Sequence, residues 1–361
     1  MKNLKLIHFV PLLVGLLLAF SLSWWGFLII FPWIGGWITI GIIINAQQKG
    51  KTNDIGNKIS ILMISPVFLI FLGLMQHENL QIEETVFYTL FWISSGIFTR
   101  VLYHYAIAKV IGPFFMGRAF CGWACWTAAI LEWLPIKENR PVPVKYTRIR
   151  YLVFVVSILT PIMFILLGYD WFSNHMYEDG KLISTGKFGQ LIWFLAGNGI
   201  YYLAAILLAF KFRKKRAFCK IACPVSLVMK AQTTISLVKI CPSGKECISC
   251  KACNINCPMD VDVMSCISKG KKVRSSECIL CGKCKRVCPQ NAIMLGMVTQ
   301  KCQHLTSGLA QGGAVTTWKM LCENKHFVSH ESLLSAPPAS QAAASLSATG
   351  RSERTDIDGV N

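Results

Sequence analysis

Apolar residues run almost without interruption through the first 210 positions of this 361-residue chain and then give way to a mixed, basic pattern. A membrane-spanning helix needs about 20 consecutive apolar residues. The first stretch, Leu6 to Ile44, is nearly twice that, so the pattern predicts a break at Ser21-Leu22-Ser23 and two spans, Leu6–Phe20 and Trp24–Ile44. Further spans are predicted at Ile59–Met75, Thr85–Ala106, Tyr151–Tyr169 and Leu191–Phe210, which makes six. Trp24, Trp25, Trp33 and Trp37 suit an interfacial aromatic belt. Residues 1–212 therefore read as a helical membrane domain, and 213–240 as a basic, membrane-proximal segment. Residues 241–295 read as a small cysteine-rich α+β domain. Beyond 296 the apolar periodicity is lost, and the low-complexity run Ala336–Ser345 cannot bury a core, so a disordered tail is expected.

Charge adds an orientation. The mean hydropathy is +0.46 and the formal net charge +19. Between Lys211 and Asn291 there are 17 Lys and Arg against Glu246, Asp260, Asp262 and Glu277. Lys2 and Lys5, then Lys49, Lys51 and Lys58, then Arg118 to Arg150, then Lys211 to Arg216 fall after even numbers of spans, while Glu78, Glu83 and Glu84 occupy an opposite loop. The positive-inside rule places both termini and the cysteine-rich domain in the cytoplasm of a bacterial or archaeal cell, with the chain multi-pass in its inner membrane. The basic residues are read as facing anionic lipid, and no nucleic-acid partner is expected. Arg100 and His104, at i,i+4 in the fourth predicted span, suit a quinone head group or a haem propionate. The favoured reading is that both snorkel to the cytoplasmic face.

Cysteine spacing supplies the chemistry. Cys247-x2-Cys250-x2-Cys253-x3-Cys257-Pro258 recurs as Cys278-x2-Cys281-x2-Cys284-x3-Cys288-Pro289. In bacterial two-cluster ferredoxins, three close-set thiolates hold one [4Fe–4S] cube and the fourth cysteine reaches across to the other. One cluster is thereby assigned to Cys247, Cys250, Cys253 and Cys288, and the second to Cys278, Cys281, Cys284 and Cys257. Zinc ribbons also use C-x2-C, but tetrahedral zinc has no use for a third step and a Cys-Pro close. Such clusters carry single electrons, so the expected role is electron transfer with no bond-making site.

A second repeat lies closer to the spans. Arg118-Ala119-Phe120-Cys121-Gly122-Trp123-Ala124-Cys125 recurs as Arg216-Ala217-Phe218-Cys219-Lys220-Ile221-Ala222-Cys223. If helical, each C-x3-C would present both sulfurs on one face. Cys121, Cys125, Cys219 and Cys223 could together complete a further metal or iron–sulfur site, form redox disulfides, or be structural. The loop through Pro141-Val142-Pro143 would bring the two pairs together. Cys241, Cys266, Cys302 and Cys322 are left over, and Cys241 is read as an ordinary buried cysteine.

Six spans, two R-A-F-C-x3-C elements and a trailing doubled ferredoxin motif together resemble the NapH/NosR-type membrane polyferredoxins, over roughly Lys2 to Ile293. The resemblance implies an electron relay between cytoplasmic clusters and quinone or a respiratory partner protein, a component of an oxidoreductase rather than a complete enzyme. A copper reductase or oxidase-assembly factor using the C-x3-C pairs and a membrane redox sensor are the alternatives. Cys219-x3-Cys223-Pro224 fits the family's C-x3-C-P element, whereas Trp126 replaces the proline in the first copy and puts the geometry of Cys121 and Cys125 in question.

Overall fold

The computed structural model describes residues 2–47, 54–169, 175–178, 181–184 and 187–297. The tail, with Cys302 and Cys322, lies outside them. Among the described residues, four helical stretches are long and apolar enough to cross a membrane: Phe27–Gln47, Ile55–Met75, Val144–Leu166 and Leu191–Lys211. α1 (Lys2–Ser21) ends where the break was expected, and Ser23 takes a left-handed conformation before α2 (Phe27–Gln47) begins. α2 packs on α3 (Ile55–Pro66) through Gly41 and Gly56, where a Cβ on either would collide with the other's carbonyl. Small residues here let two backbones approach closely. α3 continues as a π-helix over Val67–Met75.

The predicted fourth span, Thr85–Ala106, is not one helix. α4 (Ile82–Ser95) stops at Gly96, whose φ of 73° and N–H bond to the Trp92 carbonyl form a left-handed cap. The chain restarts as α5 (Arg100–Tyr105), a π-helical turn (Ala106–Ile111) and α6 (Gly112–Met116). Counting apolar residues across Ser94-Ser95-Gly96 missed this stop.

Side-chain contacts fix the direction of each piece. Phe68 packs on Trp126 at 5.3 Å, and Trp126 donates to Asn198 of α11 (Lys187–Lys211) at 3.2 Å. Further along, a Cβ on Gly73 would strike the Phe194 ring. The α3 stretch therefore rises as α11 descends. α4 does the same, with Glu83 bonded to Tyr201 and Phe87 5.5 Å from Trp193. Two successive helices with the same sense require residues 76–81 to drop back into the bundle. That re-entrant loop is polar and buried: Glu78, Asn79 and Gln81 are all at most 5 % exposed. Irregular polar backbone survives at such depth only when enclosed by protein. Gly197 provides the space, since the Gln81 side chain fills the position of its missing Cβ.

The connecting segment carries α7 (Ala119–Trp123), α8 (Trp126–Leu131) and α9 (Val144–Thr147), leading into α10 (Ile149–Leu166). A hairpin of β1 (His175–Glu178) and β2 (Lys181–Ser184) precedes α11. After α11 come α12 (Ala217–Ile221) and α13 (Val225–Ile235). The cysteine-rich segment is bracketed by β3 (Val238–Pro242) paired antiparallel with β4 (Ile293–Met297). Between them lie three short helices, α14 (Ala252–Ile255), α15 (Val263–Ser268) and α16 (Lys283–Val287). Cys241 is buried in β3 opposite Met294.

Candidate iron–sulfur sites

The two ferredoxin loops are built on one backbone plan. Left-handed residues flank the middle cysteine of each, Ser249 and Lys251 around Cys250, Leu280 and Gly282 around Cys281. A third equivalent pair, Asp260 and Asn291, sits three residues after Cys257 and Cys288. Non-glycine residues in this region are uncommon, so five of them, with Gly282, at matched positions report a wrapped loop rather than chance strain. The thiols of Cys257 and Cys288 each accept a 3.3 Å backbone N–H bond, from Val261 and Ala292 respectively.

The fold brings cysteines of the two loops together. Cys247, Cys250, Cys253 and Cys288 line one pocket, walled by Met264, Ile267 and Ile293. Cys257 lies within electrostatic range of Cys278, Cys281 and Cys284. Burial pushes the thiols up, Cys253 and Cys278 to about 11 and Cys281 to about 12. Thiols held protonated in this way take up metal with release of protons. Among the described residues, no three His, Cys, Asp or Glu side chains converge closely enough to chelate a single ion. Tetrahedral zinc would need sulfurs about 4 Å apart.

The R-A-F-C-x3-C elements also share a backbone plan, but not the expected one. Cys121 lies in α7, and Cys125 caps α8 in an extended conformation, so the pair straddles a helix break instead of sharing a helical face. The second copy breaks in the same way: Ala124 and Ala222 have φ, ψ of −136°, −3° and −130°, −10°. Trp126 has not altered the first copy. It starts α8, as Pro224 precedes α13, and its indole anchors to Asn198 while Tyr202 donates to its carbonyl at 3.0 Å. The two pairs meet. Arg216 donates to the Cys121 carbonyl at 2.8 Å, and Cys223 lies within electrostatic range of Cys219, Cys121 and Cys125. Burial raises the Cys219 thiol to about 11.

Three cations surround these four thiols, none of which the sequence reading had linked to them. Arg118 is fully buried and ion-paired with Glu277 at 2.8 Å. Arg216 is 3 % exposed and paired with Glu132 at 2.6 Å. Lys109 is 3 % exposed, its ammonium 3.1 Å from the Phe120 ring centroid and 5.1 Å from that of Trp126. The ionisable groups facing it are Cys125, Cys121 and Cys223. The arginines stood inside the quoted repeat, so a signal existed; Lys109 offered none. Several basic residues counted as lipid-facing are likewise buried in pairs. Lys214 and Lys220 hold Asp260 at 2.6 and 2.7 Å, and Arg150 holds Glu277 at 2.7 Å.

The same pairs dock the ferredoxin segment on the helices. Burial opposes the charge of Glu277, yet Arg118, Arg150 and Lys230 hold its carboxyl down at about 2. It therefore stays ionised in the folded chain well below the usual carboxylate range, and its contribution, full above that range, is lost progressively as the pH falls through it toward about 2. Asp54 at the start of α3 reaches Lys283 at 3.1 Å and also Arg286. The Trp123 indole donates to the Leu280 carbonyl at 3.1 Å, and a Cβ on Gly122 would collide with the Ile279 carbonyl. The C-x3-C element thus touches the loop of Cys278 and Cys281. Glu277→Ala would leave Arg118 and Arg150 buried without their carboxylate, at a cost of about 3–5 kcal/mol. The expected result is a lower thermal midpoint and faster amide exchange over 277–292; exchange at the wild-type rate would refute the docking role.

Two corrections concern the other end of the bundle. His104 does not snorkel: it is 5 % exposed, with Nδ1 2.9 Å from the Glu78 carboxylate and its ring between Trp24 and Phe27. Arg100 pairs with the same Glu78 and stacks on Trp24 at 4.2 Å. Trp24 is accordingly part of a polar cluster and not simply a belt residue, whereas Trp25 is 62 % exposed.

Comparison with known proteins bears on both cysteine sets. Residues 246–293 match a family described as a 4Fe-4S dicluster domain. Residues 105–139 and 197–231, which contain the two C-x3-C elements, match a 4Fe-4S binding domain. The chain is an iron–sulfur binding protein. Its cluster-binding segments and apolar helices are those of a membrane iron–sulfur electron-transfer protein. Two relatives from Methanocaldococcus jannaschii are each named only as uncharacterized: MJ0749 is 24 % identical, covering 64 % of this chain and 87 % of that one. MJ0750 is 23 % identical over 46 % and 70 % of the two chains. No solved structure matches.

Proposed function

We propose that this protein is a membrane electron relay with three [4Fe–4S] clusters. Two are held by the eight ferredoxin cysteines in the crossed sets already described, and the third by Cys121, Cys125, Cys219 and Cys223. The observation that carries this reading is Lys109. A lysine buried against three of these thiols, with no carboxylate facing it among the described residues, is costly unless an anion fills the space. Four thiolates around an iron–sulfur core supply that anion; neutral structural cysteines or a disulfide do not. The 4Fe-4S binding match over both C-x3-C segments supports the same assignment. Contact between Gly122-Trp123 and the Cys278–Cys281 loop would then make the third cluster the link between the bundle and the ferredoxin segment.

In this reading the α5–α6 stretch, Arg100–Met116, makes the fourth crossing and α4 is a half-span, so the chain crosses six times with the ferredoxin segment in the cytoplasm. Electrons exchange between the clusters and a membrane quinone or a respiratory partner, as in NapH/NosR-type proteins. The protein's own groups orient the clusters, exclude water and set their potentials through buried cations and N–H···S bonds. Iron analysis and electron paramagnetic resonance of the whole protein in lipid nanodiscs would test this. About twelve irons per chain are expected, four per cluster, with three reducible signals of which one responds first to a quinol. About eight irons and two signals would remove the third cluster.

A further inference from the structure

The buried group Glu78–His104–Arg100 is unused in this relay, yet it shares a helical stretch with Lys109. Glu78 is 3 % exposed and lies on the re-entrant loop. Arg100 Nε donates to its Oε1, and Arg100 Nη2 lies 3.5 Å from Gln76 Oε1. His104 Nδ1 faces Glu78 Oε2 at 2.9 Å, while its Nε2 has no hydrogen-bond partner among the described residues. Glu84 and Tyr88 of α4 complete the titratable surroundings, Tyr88 within electrostatic range of both glutamates. The α1–α2 turn contributes only aromatic rings, Trp24 and Phe27. Arg100 and Glu78 form an ion pair, and the His104 imidazole is the second group set against the same carboxylate. Arg100, on the same carboxylate, is 36 % exposed, so the group reaches toward solvent on that side.

We propose that the Glu78–His104 pair is a redox-linked proton site: when one electron enters the four-cysteine cluster, one proton from water binds the His104 imidazole, and oxidation releases it. The proposal rests on the third cluster being present. The physical link is distance. Five residues separate His104 from Lys109, about 7.5 Å of helical rise, and Lys109 abuts the cysteines. The intervening π-helical turn is a form that recurs at functional sites. At a separation taken as about 12 Å and an effective dielectric of about 20, a unit negative charge would strengthen proton binding about tenfold. The electron comes from the ferredoxin clusters or from any donor to them. No bond other than N–H forms, and charge in the membrane interior is conserved to within the pair.

The test is a potentiometric titration of the three cluster signals in the full-length protein between about pH 5 and 9. The four-cysteine signal is expected to fall by one tenfold step overall, about 59 mV for one electron, between its two pH plateaus. The two ferredoxin signals, farther away, should move little. Glu78→Gln and His104→Gln should flatten the pH response while the iron count stays at that of the parent. In the parent, infrared difference spectra should show imidazolium bands appearing on reduction. A flat wild-type titration, a response surviving in His104→Gln, or spectra without imidazolium bands would overturn the proposal. A parent with about eight irons would instead overturn the third cluster, a failure read from the iron count alone.

Discussion

Cys223→Ala is expected to lower the iron content from about twelve to about eight per chain and to erase one paramagnetic signal while the other two persist. The surviving ferredoxin clusters should still be reduced by a soluble low-potential donor. Their reduction by quinol should fall to background, because the contact between Gly122-Trp123 and the Cys278–Cys281 loop no longer leads anywhere. Cys278→Ala should do the converse, sparing the four-cysteine signal. If Cys223→Ala leaves iron unchanged but abolishes copper binding, the pairs serve copper. If it alters neither iron nor copper nor quinol coupling, they are structural.

Lys109→Met should shift the potential of the four-cysteine cluster by about 100 mV to more negative values. With the separation taken as about 7 Å and an effective dielectric of about 20, such a cation would favour the extra electron by about 2.4 kcal/mol. For a one-electron couple a tenfold change corresponds to about 59 mV, which converts that energy to the stated shift. Methionine keeps the volume and the contact with the Phe120 and Trp126 rings, so iron content should hold. Lys109→Arg should leave the potential within about 20 mV of the parent. The measurement is a redox titration of the resolved signal. No shift in Lys109→Met would mean that the lysine does not face the cluster.

Much of the ferredoxin segment was legible because its ligands are close in sequence. Three cysteines two residues apart can wrap one cube with local backbone alone, and the matched left-handed residues at 249, 251, 280 and 282 are the local means. Helix existence was legible for the same reason, since 20 apolar residues announce themselves. Gly96, in contrast, was readable but unread: a glycine after Ser94-Ser95 is a stop signal that a hydropathy count passes over. The re-entrant loop left only its polar run, His77 to Gln81, and that run looks the same whether it lies outside the membrane or inside the bundle.

The sequence by itself therefore pointed to iron–sulfur binding and to roughly where the chain is apolar: local cysteine spacing marks the binding segments, and local hydropathy decides which segments can lie in lipid. Only the tertiary structure decided the company those residues keep. It set Lys109 against three cysteines, aimed Arg118 at Glu277 and Arg216 at Glu132, and brought Glu78 to His104. The physical reason is electrostatic. A charge in a low-dielectric interior persists only beside its partner, and that partner is chosen by the fold from residues up to 232 positions away.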